Sequence, residues 1–150
     1  MHAISLVLVR LVLDTDVMVA ALRSKLGASR QLLVAGLERR VTLLASVPLM
    51  LEYEAVLMRT EHLTASGLSA EEMNTVLDAV AAVAEPVRLS FLWRPVLADP
   101  NDDMVLETAA NGARDWIVTF NQRDFRGAEA RFGCRLGTPG EVLRQLRRKR

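Results

Sequence analysis

The sequence predicts an α/β protein in which parallel strands alternate with helices, and three observations predict it. Residues Ile4 to Leu13 form an almost continuous apolar run rich in Val and Leu, the pattern of a central strand buried on both faces. Segments with apolar residues at helical spacing then alternate with short strand-like runs, which implies a parallel sheet with right-handed crossovers. The chain also shows no low-complexity tract, linker or internal repeat, so its 150 residues read as one domain with a real core, residues 1 to 150.

The elements follow in order. The first strand ends at Asp14-Thr15-Asp16, and Val17 to Leu22 is compatible with a helix. Ser29 to Leu37 adds a second apolar helical face through Leu32, Leu33 and Leu37, interrupted by Gly36. Val41 to Ala45 reads as a second strand. Ser46-Val47-Pro48 opens a helix, since proline is tolerated in a first turn, and Leu51, Tyr53, Val56 and Leu57 continue it. Ser69 with Glu72 three residues later is a capping box for a helix through Met73, Val76, Leu77, Val80 and Val83. Pro86 stops that helix, and Val87 to Leu92 is compatible with a third strand.

Ala98 to Asp103 reads as a turn and helix N-terminus, followed by Met104, Val105, Leu106, Ala109 and Ala110. Trp116 to Phe120 is a strand by its β-branched and aromatic content, and Cys134 to Leu136 a final short one. Thr138-Pro139-Gly140-Glu141 combines an N-cap, a first-turn proline and a capping-box glutamate, so a helix runs from Pro139 into the C-terminal residues.

Composition excludes several classes. Cys134 is the single cysteine, so neither a disulfide scaffold nor a cysteine zinc cage is available, and a reducing, cytoplasmic setting is expected. No apolar run reaches the roughly 18 residues of a membrane span, because Arg10 and Asp14 cut the N-terminal one, which also lacks a basic region and a cleavage signature. No Gly-x-Gly-x-x-Gly follows the first strand and no Gly-x-x-x-x-Gly-Lys occurs, which excludes dinucleotide and P-loop sites on motif grounds. The net charge of +1 is uneven: a basic tail at about 144 to 150 carries five positive charges, leaving 14 basic against 18 acidic residues elsewhere. Lys25 and Lys149 are the only lysines; all other basic residues are Arg, whose fork suits phosphate.

Ligands of open α/β sheets gather outside the carboxyl ends of the strands. Four acidic positions fall there: Asp14 after the first strand, Glu52 in the helix after the second, Asp102 or Asp103 before the Met104 helix, and Asp124 after the Trp116 strand. Gathered like charges raise one another's pKa unless a cation neutralises them, and oxygen-only donors favour Mg²⁺ or Mn²⁺ over zinc. His2 and His62, at a terminus and in an expected loop, offer no paired nitrogen ligands. Such a site suits phosphoryl chemistry. Thr15 and Asn121 could hold a metal-bound water or a neighbouring carboxylate. Plainer readings stand beside these: Asp14 as a helix cap, Asp16 and Asp103 as first-turn acids complementing a helix dipole, Glu54 as a solvated surface residue, Asp99 as a turn former, and Trp93, Trp116 and Phe120 as core.

Together these residues resemble the PIN domain family, in particular the toxin-like members of prokaryotic toxin and antitoxin pairs. Val12-Leu13-Asp14-Thr15-Asp16-Val17 looks like the opening motif, a strand ending in Asp-Thr-Asn or Asp-Thr-Ser. The segment Leu51 to Leu57 resembles the second acidic element, Asp99 to Leu106 the third, and Val118 to Phe125 the fourth. The resemblance covers nearly the whole chain, with four motifs in order. It implies a three-layer α/β/α domain around a parallel five-stranded sheet, and a Mg²⁺- or Mn²⁺-dependent ribonuclease that hydrolyses RNA through a metal-activated water. It carries catalysis and metal binding onto Asp14, Glu52, Asp102 and Asp124, with Thr15, Asp16, Asp103 and Asn121 in support. Asp102 is preferred to Asp103 because it lies seven residues before Ala109. A cognate antitoxin protein and a homodimer are implied as partners, with no membrane.

Asp16 stands where the family more often has Asn or Ser, and Asn121 where some members carry the fourth acid, leaving Asp124 to serve. Two alternatives remain open. Leu13 to Val17 also resembles the nucleophile motif of haloacid-dehalogenase-like phosphatases, with Asp14 as nucleophile, although neither lysine is well placed for that chemistry. A catalytically silent interaction module is the other.

Overall fold

The computed structural model describes residues 8–89, 100–112, 115–125, 133 and 135–148, with residues 100–103 described by backbone alone. The apolar run after Val9 forms β1 (Arg10–Leu13), whose last three side chains are buried. Four strands join it: β2 (Thr42–Ala45), β3 (Glu85–Pro86), β4 (Trp116–Val118) and β5 (Arg135–Gly137). All pair in parallel, in the order β3-β2-β1-β4-β5. The expected five-stranded parallel α/β sheet is therefore present. With β2 and β3 on one side of β1 and β4 and β5 on the other, the strand order reverses between β1 and β4.

Seven helices flank the sheet among the described residues: α1 (Thr15–Arg23), α2 (Ala28–Leu37), α3 (Val47–Leu57), α4 (Thr60–Ser66), α5 (Ala70–Val83), α6 (Pro100–Asn111) and α7 (Pro139–Arg148). Their caps are the ones the sequence signals. Asp14 caps α1, Ser46 caps α3 by accepting from the Leu49 amide, and Ser69 and Glu72 close a reciprocal capping box on α5. Thr138 Oγ1 accepts from the Glu141 amide at the start of α7. Gly36 in mid-α2 has a packing reason: a Cβ there would collide with the Leu43 side chain of β2. α2 ends in a Schellman closure, with Arg39 N–H to Gly36 O (3.0 Å) and Arg40 N–H to Ala35 O (2.8 Å).

Three expectations are corrected. The third strand is Glu85–Pro86 and not Val87 to Leu92: it is the sheet's edge, where proline is tolerated, and pairing ends once the Val87 amide has donated to Ala45 O (2.9 Å). Of the expected stretch, Val87 to Leu89 is irregular, and residues 90–92 lie outside the described residues. His62 belongs to helix α4 rather than to a loop, with its Nδ1 3.2 Å from Arg23 Nη2. Phe120 is not core; it is 51% exposed, because β4 ends at Val118 and the chain turns outward. Trp116 is half-buried against the core, with the Arg135 guanidinium 4.6 Å from its ring centre. Residues 1–7, Trp93, Asp99 and Cys134, all named above, lie outside the described residues.

One continuous apolar cluster runs through Leu11, Val12, Val17, Met18, Leu32, Leu44, Leu49, Leu57, Met73, Leu106, Ile117 and Phe125. No helix of the described residues is long and apolar enough to cross a membrane.

Candidate metal centre

A parallel sheet leaves its carboxyl edge open where the strand order reverses, and here that crevice lies between β1 and β4. The β1–β4 register, Leu13 against Val118, brings Asp14 level with Thr119. The Asp14 amide donates to Val118 O (2.9 Å), extending the ladder one residue past the strand. Its side chain, 5% exposed, then accepts two hydrogen bonds: from the Thr15 amide at Oδ1 (2.8 Å) and from the Thr119 hydroxyl at Oδ2 (2.6 Å). Thr119 is wholly buried, its amide donating to Gly137 O (3.0 Å) and its Oγ1 accepting from the Asn121 amide (2.9 Å). The carboxylate is thus fixed in both oxygens by backbone geometry and one buried hydroxyl.

Asp16 sits one residue into α1. Its Oδ2 accepts from the Phe120 amide (3.2 Å), while its Oδ1 is sealed from solvent without a hydrogen-bond partner. Burial raises the Asp14 carboxyl above the usual range, opposed by its hydrogen bonds and reinforced by the charge of Asp124. Burial and then the charge of Asp14 push Asp16 up to about 7. Asp124 lies in a 3₁₀ turn (Gln122–Phe125) that follows β4, exposed, with its amide donating to Asn121 O (3.0 Å). Leaving carboxylate oxygens buried, mutually repelling and partly unsatisfied costs free energy unless a cation enters. The donor set of hard oxygens, with one orphaned atom, fits a divalent Mg²⁺-like ion.

The other sequence-predicted residues stand as follows. Glu52 is half-buried on α3. Its neighbour Tyr53, fully buried, donates its hydroxyl to Leu13 O, and burial followed by the charge of Asp14 raises the phenol's pKa. The backbone of Asp102 and Asp103 lies in the first turn of α6, which packs on β1, β2, β4 and α3; their side chains are outside the described residues. Among the described residues no three His, Cys, Asp or Glu side chains form a group that could hold a metal ion. The Asp14–Asp16 pair is therefore the assembled part of the site, with Asp124 acting on it by charge.

Thr15 and Asn121 contribute backbone amides to the cluster, Thr15 directly and Asn121 through Thr119. Thr119 is a member of the cluster that the sequence motifs do not single out. Its signal was there: a polar residue closing the apolar strand Trp116–Val118, where a hydroxyl must find a partner once buried. Asp16, a supporting residue by sequence, is the one with the unsatisfied buried oxygen.

Comparison with known proteins agrees with this architecture. The PIN domain family profile matches residues 10–123. Among solved structures, VapBC2 from Rickettsia felis bound to a DNA fragment from their promoter is similar in fold, with a TM-score of 0.58 at 15% identity over 86% of this chain and 98% of that one. No curated protein matches the sequence closely enough to carry an assignment. The profile spans β1 to the start of the 3₁₀ turn, so both strands that flank the crevice fall inside it, and the chain belongs to the PIN domain family, whose members are nucleases.

Proposed function

We propose that the protein is a divalent-metal-dependent endoribonuclease and the toxin of a toxin–antitoxin pair. The observation that carries this reading is the Asp14–Asp16 pair at the sheet's switch point, Asp14 buried and Asp16 partly so, with Asp16 Oδ1 sealed from solvent without a partner. Asp14, Asp16 and Asp124, with Glu52 and Asp102, would hold Mg²⁺ or Mn²⁺. When bound, such an ion lowers the pKa of water and offsets charge on phosphoryl oxygens.

The chain's own residues do the rest. Thr119 and the Thr15 amide hold Asp14 in one orientation, so no reorganisation is needed when charge develops nearby. Asp124, exposed beside the cluster, orients water and accepts its proton. Phe120, half-exposed with its amide on Asp16, offers a ring face on which a nucleobase can stack. The Arg-rich end of α7 begins well away from this edge: Arg147 lies nine residues beyond Thr138, about 13 Å along the helix at 1.5 Å per residue, and bonds Gln31 of α2. Phosphate recognition by the tail would thus involve a long substrate. A phosphatase with Asp14 as nucleophile fits less well, because both of its oxygens are already engaged and the side chain is buried.

An antitoxin partner, a homodimer and a cytoplasmic site of action belong to the same proposal. Cleavage of RNA with Mg²⁺ or Mn²⁺, against chelator and against Asp14→Asn and Asp102→Asn, tests it. Metal-dependent cleavage lost in both variants is the expected outcome; unchanged cleavage by folded Asp14→Asn protein overturns the mechanism.

A further inference from the structure

Ser46 and Thr108 are buried hydroxyls, 2% and 0% exposed. They form one chain of hydrogen bonds. The Leu49 amide donates to Ser46 Oγ (3.3 Å), Ser46 Oγ lies 2.7 Å from Thr108 Oγ1, and Thr108 Oγ1 donates to Met104 O (2.8 Å). A threonine hydroxyl has one proton, and Thr108 spends it on Met104, so Ser46 is the donor in the shared bond. The chain thus runs one way, from the first turn of α3 to the residue that directly follows Asp102 and Asp103 in α6. Elsewhere on α3, Tyr53 donates to Leu13 O, the carbonyl just before Asp14. The helix that bears Glu52 is therefore bonded to the strand end that bears Asp14 and to the helix whose first turn bears Asp102.

These bonds have a job that apolar packing does not do. α3 is apolar nearly all round: Leu49, Tyr53, Val56 and Leu57 are buried, while Val47 and Leu51 are 73% and 60% exposed. Apolar burial is non-directional, so a small rotation of such a helix exchanges one apolar contact for another at little cost. Hydrogen bonds are directional and, when buried, costly to lose. A rotation of about 20° moves a side-chain end by about 2 Å at a helix radius of about 5–6 Å, enough to misplace a ligand.

We propose that Ser46 and Thr108, with Tyr53, are positioning residues that set the rotation of α3 and hence the place of Glu52 relative to Asp14 and the start of α6. This rests on the metal-dependent reading above. The test titrates the full chain with Mn²⁺ alone, followed by the loss of free-ion signal in electron paramagnetic resonance, well below each variant's Tm. Ser46→Ala and Thr108→Val each weaken Mn²⁺ binding about ten-fold, in line with residues that orient metal ligands. The double variant weakens it no further, and Thr108→Ser retains wild-type affinity. In a Glu52→Gln background Ser46→Ala has no effect, because the path runs through Glu52. Tyr53→Phe, which keeps the ring, gives the same loss as Ser46→Ala and covers the case in which Thr108→Val does not fold. Folded variants with wild-type affinity, or a Ser46→Ala loss undiminished in Glu52→Gln, overturn the positioning role alone. A wild-type chain with no saturable Mn²⁺ binding overturns the metal reading and this role with it.

Discussion

Asp14 and Asp16 show how one residue's environment decides its chemistry. Asp14 caps α1 and Asp16 lies in its first turn, yet Asp14 has both oxygens satisfied and Asp16 only one. Thr119 supplies the bond to Asp14 Oδ2. Replacing it by valine keeps the shape and removes the donor, and RNA cleavage should fall about 10–100-fold with the fold intact by circular dichroism, as expected for a residue that orients a ligand. The Asp16 shift has a pH consequence for the metal-free protein. Its folded pKa of about 7 lies above the ordinary aspartate value of 3.8, so between these values the folded state binds more protons than the unfolded one. Stability is then highest in the acidic part of that window and falls as pH rises toward 7. Thermal unfolding in chelator from pH 4.5 to 8 should show that decline, and Asp16→Asn should flatten it. The sequence shows these carboxylates at strand ends; it does not show Thr119, whose role depends on β4 lying beside β1.

At the scale of elements, local signals predict well wherever a side chain meets its own backbone. The Ser69–Glu72 box, the Ser46 cap with Pro48 in the first turn, and the Thr138 cap are all short-range, and each forms as its spacing indicates. The end of α2 departs from the usual chemistry. Arg39 holds φ at 59°, the left-handed position that the Schellman closure normally gives to glycine. Arg39→Gly should therefore raise stability by about 1 kcal/mol, read from the urea midpoint at unchanged slope. Strand ends were less legible. The third strand shrank to Glu85–Pro86 and α4 emerged where a loop was expected, because pairing partners and neighbouring helices, not local pattern, select those segments.

Across the whole molecule, the uneven charge acquires a layout. The crevice between β1 and β4 gathers acidic groups, and the basic residues of α7 stand a helix length away. Filling that crevice with a cation should stabilise the fold by mass action. At a concentration one hundred times the dissociation constant, Mg²⁺ or Mn²⁺ should add about 2.7 kcal/mol, seen as a rise in Tm that chelator reverses and Asp14→Asn abolishes. The sequence by itself determined the α/β class, the helix caps and the four acidic positions, because hydrophobic period, proline and capping chemistry act over a few residues. Only the tertiary structure decided which carboxylates meet. The Asp14–Thr119 bond spans 105 residues and the Ser46–Thr108 bond 62. The first exists because β1 and β4, separated by long crossovers, end at one edge, and the second because α6 packs against α3 and β2; no local pattern encodes either juxtaposition.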